Sequence, residues 1–249
     1  MKILHLSDIH LTKHGEIIWG ADTLSNLNKA LDKIKEIPNI DAIIISGDIS
    51  NDGSLWTYEY IDEQFGKLNI PVYCCPGNHD NIRVMMTEFS PKFIKIVDKT
   101  IIAGWQFYFL NSVVRDEKEP TQNKARGLLS KNSLCQLEQD LKQNNIPTII
   151  VLHHPPKEPG GWINRRLLDN RNEFNDLIKQ YNNVKLVLYG HIHYSTQNYN
   201  GNIIYSSASS IGYAFDKYLP NFQIAKGQEG FNLIELNNTE IHIERFFLD

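Results

Sequence analysis

The hydrophobic positions of the chain concentrate in short, mostly apolar runs, and five of these runs end in a cluster of polar residues. The five runs occupy residues 1–6, 40–46, 70–75, 148–152 and 184–189. Short apolar runs of this kind are typical of strands that are buried on both faces in a parallel sheet. We therefore predict a strand at each run, with the polar residues placed at its carboxyl end.

The same kinds of polar residue recur after all five runs. The clusters are Asp8-Ile9-His10, Gly47-Asp48, Gly77-Asn78-His79-Asp80, His153-His154 and Gly190-His191-Ile192-His193. Each cluster alone is a weak signal, because Asn, Asp and Gly are ordinary turn residues. A rigid sheet, however, can aim the side chains that leave its strand tips. The recurrence therefore predicts one site that is assembled from distant parts of the chain.

Between the runs, apolar residues recur at helical spacing. Residues 23–37 place four apolar side chains on one face, and the pattern stops at Pro38. Residues 130–144 have the same pattern, with Ser130 as the expected N-cap. The other helices are expected at residues 54–68 and 170–181.

The later part of the chain adds shorter strands. Residues 100–111 predict a hairpin that turns near Gly104. Hairpin-like strands are also predicted at residues 199–206, 231–236 and 240–247, the last two joined at 237–239. Alternating strands and helices followed by shorter strands favour a single α/β domain, residues 1–249, with two sheets or one mixed sheet. A four-layer α/β-β/α sandwich, in which helices flank two mixed sheets, fits this order best.

Charge and hydrophobicity exclude several classes of protein. The 249 residues have a formal net charge of −4, and the longest basic run is the pair Arg165-Arg166. We therefore expect no nucleic-acid groove that works by bulk electrostatics. No apolar run approaches the length of a membrane span, and the N-terminal strand is too short and polar for a signal peptide. A cytoplasmic protein without a membrane partner is the expectation.

Three other features have ordinary interpretations. Cys74 and Cys75 lie inside a strand pattern and are expected to be small buried residues. The mixed-sign segment 115–118 is typical of a solvated loop. Tyr213, Phe215 and Tyr218 are expected to pack at the C-terminal edge, with a homodimer contact as the alternative.

The polar clusters supply donors that suit metal ions. They contain Asp8, His10, Asp48, Asn78, His79, His153, His154, His191 and His193, so six of the nine histidines lie at strand ends. Carboxylate, imidazole and amide oxygen together suit Fe, Mn or Zn rather than a thiolate-bound structural zinc. About seven donors exceed the needs of one ion, whereas two ions that share a bridging carboxylate would use them all. Two-metal sites are the recurring solution for phosphoester hydrolysis.

In order and spacing, these motifs resemble those of the calcineurin-like metallophosphoesterase superfamily. They extend over residues 8–193, and the joint match is far more specific than any single motif. The segment His153-His154-Pro155-Pro156, with Trp162 and Leu168-Asp169-Asn170 after it, is similar to bacterial class III 3′,5′-cyclic nucleotide phosphodiesterases and related glycerophosphodiesterases.

The resemblance implies a role for each motif residue. One ion would be held by Asp8, His10, Asp48 and His193, and the other by Asp48, Asn78, His153 and His191. The ions would be Fe/Mn or Mn/Mn, with Zn as a third option. A metal-bridging hydroxide would attack phosphorus, and His79 would protonate the leaving alkoxide or steady the phosphoryl oxygens. Asp80 would orient His79 through a hydrogen bond.

Several positions have alternative interpretations. His153 is preferred over His154 as the ligand, and His154 would then lie at the pocket wall. His154, Asn78 and Trp162 are the candidate substrate contacts. For Trp162, and for Asn164 and Arg171 near the same loop, simple packing or a surface position is the favoured alternative to a contact with base or phosphate. Asn51 departs from the family pattern, because many members have Asp three residues after the bridging carboxylate. Neither Asn51 nor Asp52 is an expected ligand.

The resemblance favours a hydrolase of small phosphodiesters, above all 3′,5′-cyclic nucleotides such as cyclic AMP. A broader phosphodiesterase or phosphomonoesterase, acting for example on glycerophosphodiesters, is the second hypothesis, because a metal core does not encode the leaving group. A non-catalytic scaffold on the same fold is the third. It is disfavoured because the chain keeps every expected ligand position together with His79.

Overall fold

A computed structural model of the chain describes residues 1–113, 125–219, 221–237 and 240–249. The predicted loop at 115–118 lies outside these ranges, and the connection at 237–239 lies partly outside them. Within the described ranges, every helix is too short or too polar to cross a lipid bilayer.

The strands of the described ranges form two six-stranded sheets. In spatial order, the first sheet contains β12 (Ile241–Phe247), β11 (Gly230–Leu236), β1 (Lys2–Leu6), β2 (Ala42–Ser46), β3 (Val72–Cys75) and β4 (Ile94–Ile96). The second contains β5 (Lys99–Ile102), β6 (Trp105–Phe109), β7 (Thr148–Val151), β8 (Val184–Tyr189), β10 (Ile203–Ser207) and β9 (Thr196–Asn200). Neighbours among β1–β4 and among β6, β7, β8 and β10 are parallel, and the outer pairs are antiparallel. Both sheets are therefore mixed, as predicted.

Helices cover the outer faces of the two sheets. They are α1 (Thr23–Glu36), α2 (Leu55–Gly66), α3 (Lys131–Gln143) and α4 (Arg171–Ile178). Helices α1 and α2 share a hydrophobic core with the first sheet, through side chains such as Leu31 and Ile61. Helices α3 and α4 share another with the second sheet, through side chains such as Leu137 and Phe174. A third core lies between the sheets, which confirms the four-layer sandwich.

The layers explain why β2 carries isoleucine side chains on both of its faces. Ile43 and Ile45 belong to the core beneath the helices, whereas Ile44 belongs to the core between the sheets. All three side chains are fully buried. Burial of one such side chain contributes about 1.5–3 kcal/mol, so both faces of the strand stabilise the fold.

Helix ends agree closely with the sequence patterns. Helix α1 ends one residue before the predicted 23–37 boundary, ahead of Pro38. Ser130 caps α3 by accepting a hydrogen bond from the N–H of Ser133 at 3.0 Å. The predicted hairpin at 100–111 is confirmed as β5 and β6.

The segment predicted as one strand at 199–206 is divided between two strands, β9 and β10. The chain turns at Gly201, which has a φ of +60°, and β9 and β10 pair antiparallel on either side of this turn. Glycine adopts this conformation without the penalty that a Cβ would impose. The glycine was therefore a turn signal within an otherwise strand-like segment.

The tips of five parallel strands meet at one edge of the sandwich. Within the first sheet, the N–H of Asp8 donates to the carbonyl of Gly47 at 3.0 Å. Within the second sheet, the N–H of Gly190 donates to the carbonyl of His153 at 3.1 Å. The His153 ring also reaches the carbonyl of Ser46 across the two sheets, at 2.8 Å. The polar clusters of both sheets are thereby held together.

Candidate metal centre

One group of the predicted ligands lies at the tips of β1 and β8. Nε2 of His10 lies 3.1 Å from Nε2 of His193, which lies 3.2 Å from Oδ1 of Asp8. All three side chains are buried. Imidazole and carboxylate donors that could bind one metal ion therefore converge in a small volume.

A second group lies at the tips of β3, β7 and β8. Nε2 of His153 lies 3.1 Å from Oδ1 of Asn78 and 3.2 Å from Nδ1 of His191. Asp48, at the tip of β2, contacts both groups. Its Oδ2 lies 3.5 Å from Nε2 of His10 and 3.3 Å from Nε2 of His153. The structure thus brings the seven predicted ligand residues together, with Asp48 between the two groups.

Backbone carbonyls fix the orientation of two of the imidazoles. His153 donates from Nδ1 to the carbonyl oxygen of Ser46 at 2.8 Å, and His193 donates from Nδ1 to that of Tyr213 at 2.7 Å. Because a carbonyl oxygen only accepts, the proton must be on Nδ1 in both rings. Metal-binding histidines are oriented in this way in proteins, with Nε2 left to the ion.

The atoms around Nε2 of His153 require a positive charge between them. Nδ1 of its neutral ring carries the proton, yet Nε2 lies against the oxygens of Asn78 and Asp48, which are acceptors. A lone pair facing two acceptor oxygens is repulsive unless a cation or a second proton lies between them. The residues present therefore fit the metal ions that the sequence implies.

The pKa values of the buried groups agree with this conclusion. Burial lowers the pKa of His153, but Asp48 and Asp8 outweigh burial and raise it to about 9. Burial raises the pKa of Asp48, but His153 and its neighbours hold it well below the usual range. Burial lowers the pKa of His191 to about 3, so its ring is neutral at pH 7 and offers a lone pair.

Most residues of the cluster have an unusual backbone conformation. Positive φ angles occur at Asp8 (54°), His10 (49°), Asp48 (51°), His191 (71°) and His193 (56°). The left-handed conformation costs a residue with a Cβ about 1–2 kcal/mol. Strained backbone of this kind concentrates at functional sites. Here it turns the chain immediately after β1, β2 and β8, so that residues two apart, such as His191 and His193, both reach the cluster.

The glycines before Asp48, Asn78 and His191 permit close approach of the chain segments. A Cβ on Gly77 would overlap the carboxylate of Asp48, and a Cβ on Gly190 would overlap the hydroxyl of Ser7. Gly47 has a φ of +92°, and a Cβ there would lie 2.6 Å from Nδ1 of His153. The spacing of the cluster therefore depends on these three positions.

We expect Gly190→Ala to lower both stability and metal content. The new methyl group must displace Ser7 or Asp8, and overpacking of this kind costs about 1–3 kcal/mol. Thermal unfolding and elemental analysis of the purified protein measure the two effects. Gly104→Ala is the control, because nothing lies within 4 Å of that Cβ and only the positive φ is penalised. Full metal content in Gly190→Ala would contradict the role of close approach.

Asn51, which was not an expected ligand, orients one of the ligands. Its Oδ1 lies 3.1 Å from Nδ1 of His10, so this ring is held as the rings of His153 and His193 are. Asn51 occupies the position where many members of the family have Asp. This departure could have indicated the orienting role, because the amide oxygen of Asn replaces a carboxylate oxygen as the acceptor.

We expect Asn51→Ala to weaken Mn²⁺ binding about 10- to 100-fold, because loss of an orienting partner has effects of this size. Asn51→Asp restores an acceptor oxygen and should keep most of the affinity. Calorimetric titration of each variant with Mn²⁺ measures the difference. If both variants bind as wild type does, Asn51 does not position His10.

His79 lies at the edge of the cluster and is exposed to solvent. Its ring meets the His10 ring edge-on, with 4.7 Å between centroids. The backbone N–H of His79 donates to Oδ1 of Asp48 at 2.8 Å. The residue lines an open cleft of about 770 Å³ together with Asn78 and Arg83. His79 therefore presents an exposed imidazole to any molecule in the cleft.

The hydrogen bonds of Asp80 correct the prediction that it orients His79. Its carboxylate accepts from the N–H groups of Ser50 (3.0 Å) and Gly77 (2.8 Å) and from the hydroxyl of Tyr58 (3.3 Å). Burial and the nearby Asp48 raise the pKa of Asp80 to about 7. A buried carboxylate needs donors, and the loops after β2 and β3 supply them. Asp80 therefore joins these two loops.

His154 does not lie at the pocket wall, where the sequence analysis expected it. Its side chain is fully buried, and its Nδ1 lies 2.8 Å from Oγ of Ser112. The ring packs against the rings of His153 and His191, at centroid distances of 5.0 Å and 4.8 Å. A substrate contact is therefore not supported. Of the two neighbouring histidines, His153 is the one whose Nε2 lies against Asp48.

Trp162 is also more buried than a substrate contact should be. It is 9% exposed, and its ring packs on Phe215 and Phe222 at 5.3 Å and 5.9 Å. Asn164 accepts a hydrogen bond from Gly160, and Arg171 lies 3.3 Å from Glu158, so both have local partners. Trp162 therefore supports other aromatic rings.

The sequence analysis missed the rings that surround the histidines. Phe215 stacks on His193 with 4.3 Å between centroids, and Tyr213 lies 4.8 Å from His10 and 4.6 Å from His193. Both are buried, as the packing interpretation predicts, whereas Tyr218, which was expected to pack with them, is 84% exposed. They follow the last motif by some twenty residues, so spacing could not identify them.

Comparison with known families decides the class of the protein. The model of the calcineurin-like phosphoesterase family matches residues 1–195, which include all seven predicted ligands. The chain belongs to the calcineurin-like phosphoesterase family. It is accordingly a metal-dependent phosphoesterase, as the motifs predicted, and its Asp and His clusters are groups that could hold metal ions.

Curated members of this phosphoesterase family are similar over nearly the whole chain. A 3′,5′-cyclic-nucleotide phosphodiesterase of Nostoc sp. is 32% identical over 95% of this chain and 88% of its own length. The 3′,5′-cyclic adenosine monophosphate phosphodiesterases CpdA of Haemophilus influenzae and Escherichia coli are 30% and 28% identical. These alignments cover 96% and 97% of this chain, and 86% and 89% of the relatives.

Solved structures support the fold. A dimetal phosphatase from Danio rerio superposes with a TM-score of 0.71 at 11% identity, over all of this chain and 96% of its own. GAP50, described as the anchor in the inner membrane complex of Plasmodium, superposes with a TM-score of 0.67 at 15% identity. It covers all of this chain and 84% of its own length. Because such different proteins share the fold, the chemistry must be argued from the site.

Proposed function

We propose that this phosphoesterase hydrolyses 3′,5′-cyclic nucleotides, cyclic AMP foremost, at a centre of two metal ions. Asp8, His10, Asp48 and His193 would hold one ion. Asp48, Asn78, His153 and His191 would hold the other, with Asp48 shared. Fe/Mn or Mn/Mn pairs suit this donor set, with Zn as the alternative.

The position of Asp48 is the observation that carries this proposal. One of its oxygens lies within 3.5 Å of an imidazole of each group. A carboxylate so placed can bridge two ions, and two-metal centres clamp both the attacking and the leaving oxygen of a phosphoester. The seven donors come from five strand tips, which a chance cluster of surface residues would not do.

The ions supply Lewis acidity and lower the pKa of water to near neutral when they are bound. The residues of the chain provide the rest of the chemistry. His79 is exposed in the cleft beside Asp48, so its imidazole can donate a proton to the leaving ribose oxygen. Arg83 lines the same cleft with an exposed guanidinium that lies 3.6 Å from Glu88, and it would exchange this partner for a phosphodiester anion.

The nature of the substrate is inferred from two observations. The relatives that match nearly the full chain are named as cyclic nucleotide phosphodiesterases. The cleft beside His79, of about 770 Å³, is of the size that holds small ligands. A nucleic-acid strand would need a long basic track, and the net charge of −4 does not favour one.

An assay of the purified protein in Mn²⁺-supplemented buffer tests the proposal. The substrates are cyclic AMP, cyclic GMP, bis-p-nitrophenyl phosphate and p-nitrophenyl phosphate. We expect the highest kcat/KM for a cyclic nucleotide and the lowest for the monoester. Hydrolysis of p-nitrophenyl phosphate as fast as that of the cyclic nucleotides, or faster, would contradict the proposal and indicate a phosphoesterase of broad specificity. Absence of hydrolysis with two bound equivalents of metal would favour a scaffold.

A further inference from the structure

Two exposed aromatic rings lie beside the metal centre and have no part in the chemistry described so far. Trp19 is 57% exposed and Phe222 is 42% exposed, and their rings are in contact, with 4.6 Å between centroids. They come from separate segments, the loop before α1 and the segment before β11. We refer to Trp19 and Phe222 together as the aromatic rim.

The aromatic rim is continuous with the predicted ligands through buried rings. Trp19 packs edge-on against Tyr213 at 5.1 Å, and Tyr213 contacts the ring of His10 at 4.8 Å. Phe222 packs against Phe215 at 4.9 Å. Phe215 is the residue that stacks on His193. Each ring of the rim is therefore separated from a predicted metal ligand by a single buried aromatic residue.

The backbone at Trp19 is strained in a way that packing alone does not explain. Ile18 and Ala21 exchange two backbone hydrogen bonds, of 3.0 Å and 2.9 Å, around a tight turn. The two central residues, Trp19 and Gly20, have φ angles of +48° and +83°. Turns with two positive φ angles strongly favour Asn-Gly or Gly-Gly, because a large side chain is disfavoured there. A tryptophan at such a position, with most of its ring in solvent, indicates a function for the ring.

Resting on the proposed function, we infer that the aromatic rim binds the base of the nucleotide by stacking. In a cyclic nucleotide only the ribose separates the base from the phosphate. With the phosphate at the metal centre, the base would lie beyond the ligands by about the width of one aromatic ring. The rim lies at this distance, because one buried aromatic residue separates it from His10 and from His193. Stacking on an aromatic face suits adenine and guanine alike and needs no hydrogen bond to the base.

The buried rings make the rim rigid. Trp162 packs beneath Phe222, and the guanidinium of Arg166 lies 5.5 Å from the centre of the Trp162 ring. A ring fixed before binding loses little entropy when a base stacks on it. This assigns Trp162 a supporting position beneath the rim, in place of the direct substrate contact that its sequence position suggested.

The test distinguishes the contribution of the base to substrate binding from that of the reacting phosphate. Hydrolysis of cyclic AMP is compared with that of methyl riboside 3′,5′-cyclic phosphate, which has the same reacting group and no base. We expect Trp19→Asn to raise KM for cyclic AMP roughly 5- to 150-fold with kcat little changed, the range for loss of one base–aromatic stack. The base-free substrate should be hydrolysed as by wild type. Trp19→Phe should keep most of the affinity.

Thermal unfolding distinguishes binding from a structural role. Asn tolerates a positive φ, which offsets the loss of the ring contacts with Tyr213 and Phe222, so Trp19→Asn should unfold close to the temperature of wild type. A lower unfolding temperature, with equal losses on both substrates, would show that Trp19 only packs and would overturn the inference. Trp56→Ala, which removes a 37% exposed tryptophan from α2, is the matched control and should change neither KM.

Product binding makes the test independent of catalysis. AMP and ribose 5-phosphate are titrated calorimetrically into the Mn²⁺-loaded wild-type protein, Trp19→Asn and Phe222→Leu. Only AMP should bind more weakly to the variants. Equal binding of AMP to all three proteins would overturn the inference even if cyclic AMP is a substrate. Failure of wild type to hydrolyse cyclic AMP, with weaker AMP binding in the variants, would reject the proposed function alone. A change of oligomeric state in Trp19→Asn, measured by light scattering, would assign the rim to a second copy of the chain and overturn the inference.

Discussion

Asp48→Ala is expected to bind neither metal ion and to lose hydrolytic activity by about 10³-fold or more. Oδ2 of Asp48 is the atom that contacts both histidine groups, so its removal takes a donor from each ion. Two like-charged ions without a shared carboxylate also repel each other. Metal catalysis contributes several kcal/mol, and each 1.4 kcal/mol corresponds to about tenfold in rate.

Elemental analysis of the purified variant measures the metal content, and the cyclic AMP assay measures the activity. Asp32→Ala is the control, because Asp32 is an exposed helix residue that pairs with Lys35 at 2.7 Å. It should retain both ions and full activity. An Asp48→Ala protein that is active and carries two ions would refute the bridging position and, with it, the proposed ligand sets.

His79→Ala is expected to separate catalysis from metal binding. The variant keeps the backbone N–H that donates to Asp48, so the metal content should be that of wild type. Without a proton donor for the leaving oxygen, kcat on cyclic AMP should fall about 10²- to 10⁴-fold, the usual contribution of a positioned acid. The loss should be smaller for bis-p-nitrophenyl phosphate, whose leaving group is a weaker base.

The control for this variant is His14→Ala, because His14 is exposed in the loop after the first motif. Calorimetric titration with Mn²⁺ and the two assays complete the comparison. If His79→Ala loses metal and activity in equal measure, His79 is a ligand rather than an acid. If it loses neither, the proton must come from another group in the cleft.

Much of the fold was predictable because its signals are local. The strands β1, β2, β3, β7 and β8 are apolar runs with a polar tip, and a short stretch of sequence contains both parts. The ends of α1 and α3 were marked by Pro38 and Ser130, which act within one helical turn. The segment 199–206 was predicted as one unbroken strand because its pattern is strand-like on both sides of Gly201, the residue at which the chain turns.

The candidate ligands could be predicted from the sequence, but the groups that orient them could not. A metal centre needs particular side chains, so Asp8 and His191 stand out by type and spacing. The groups that orient them act over long separations: Tyr213 accepts from His193 through its backbone carbonyl, which any residue could provide. Asp80 was misjudged for the same reason, because its partners are backbone N–H groups that sequence does not reveal. The aromatic rim depends on two loops that meet only in the folded chain.

The candidate ligands also join the two halves of the sandwich. Asp8 and Asn78 leave the first sheet, whereas His153 and His193 leave the second, so each ion would be a cross-link between sheets. Binding at 100 times the dissociation constant adds about 2.7 kcal/mol per ion to the free energy of unfolding. For a chain of this size, chelation should then lower the unfolding temperature by roughly 5–10 °C per ion. The lifetime of the protein in a cell would consequently follow the supply of metal.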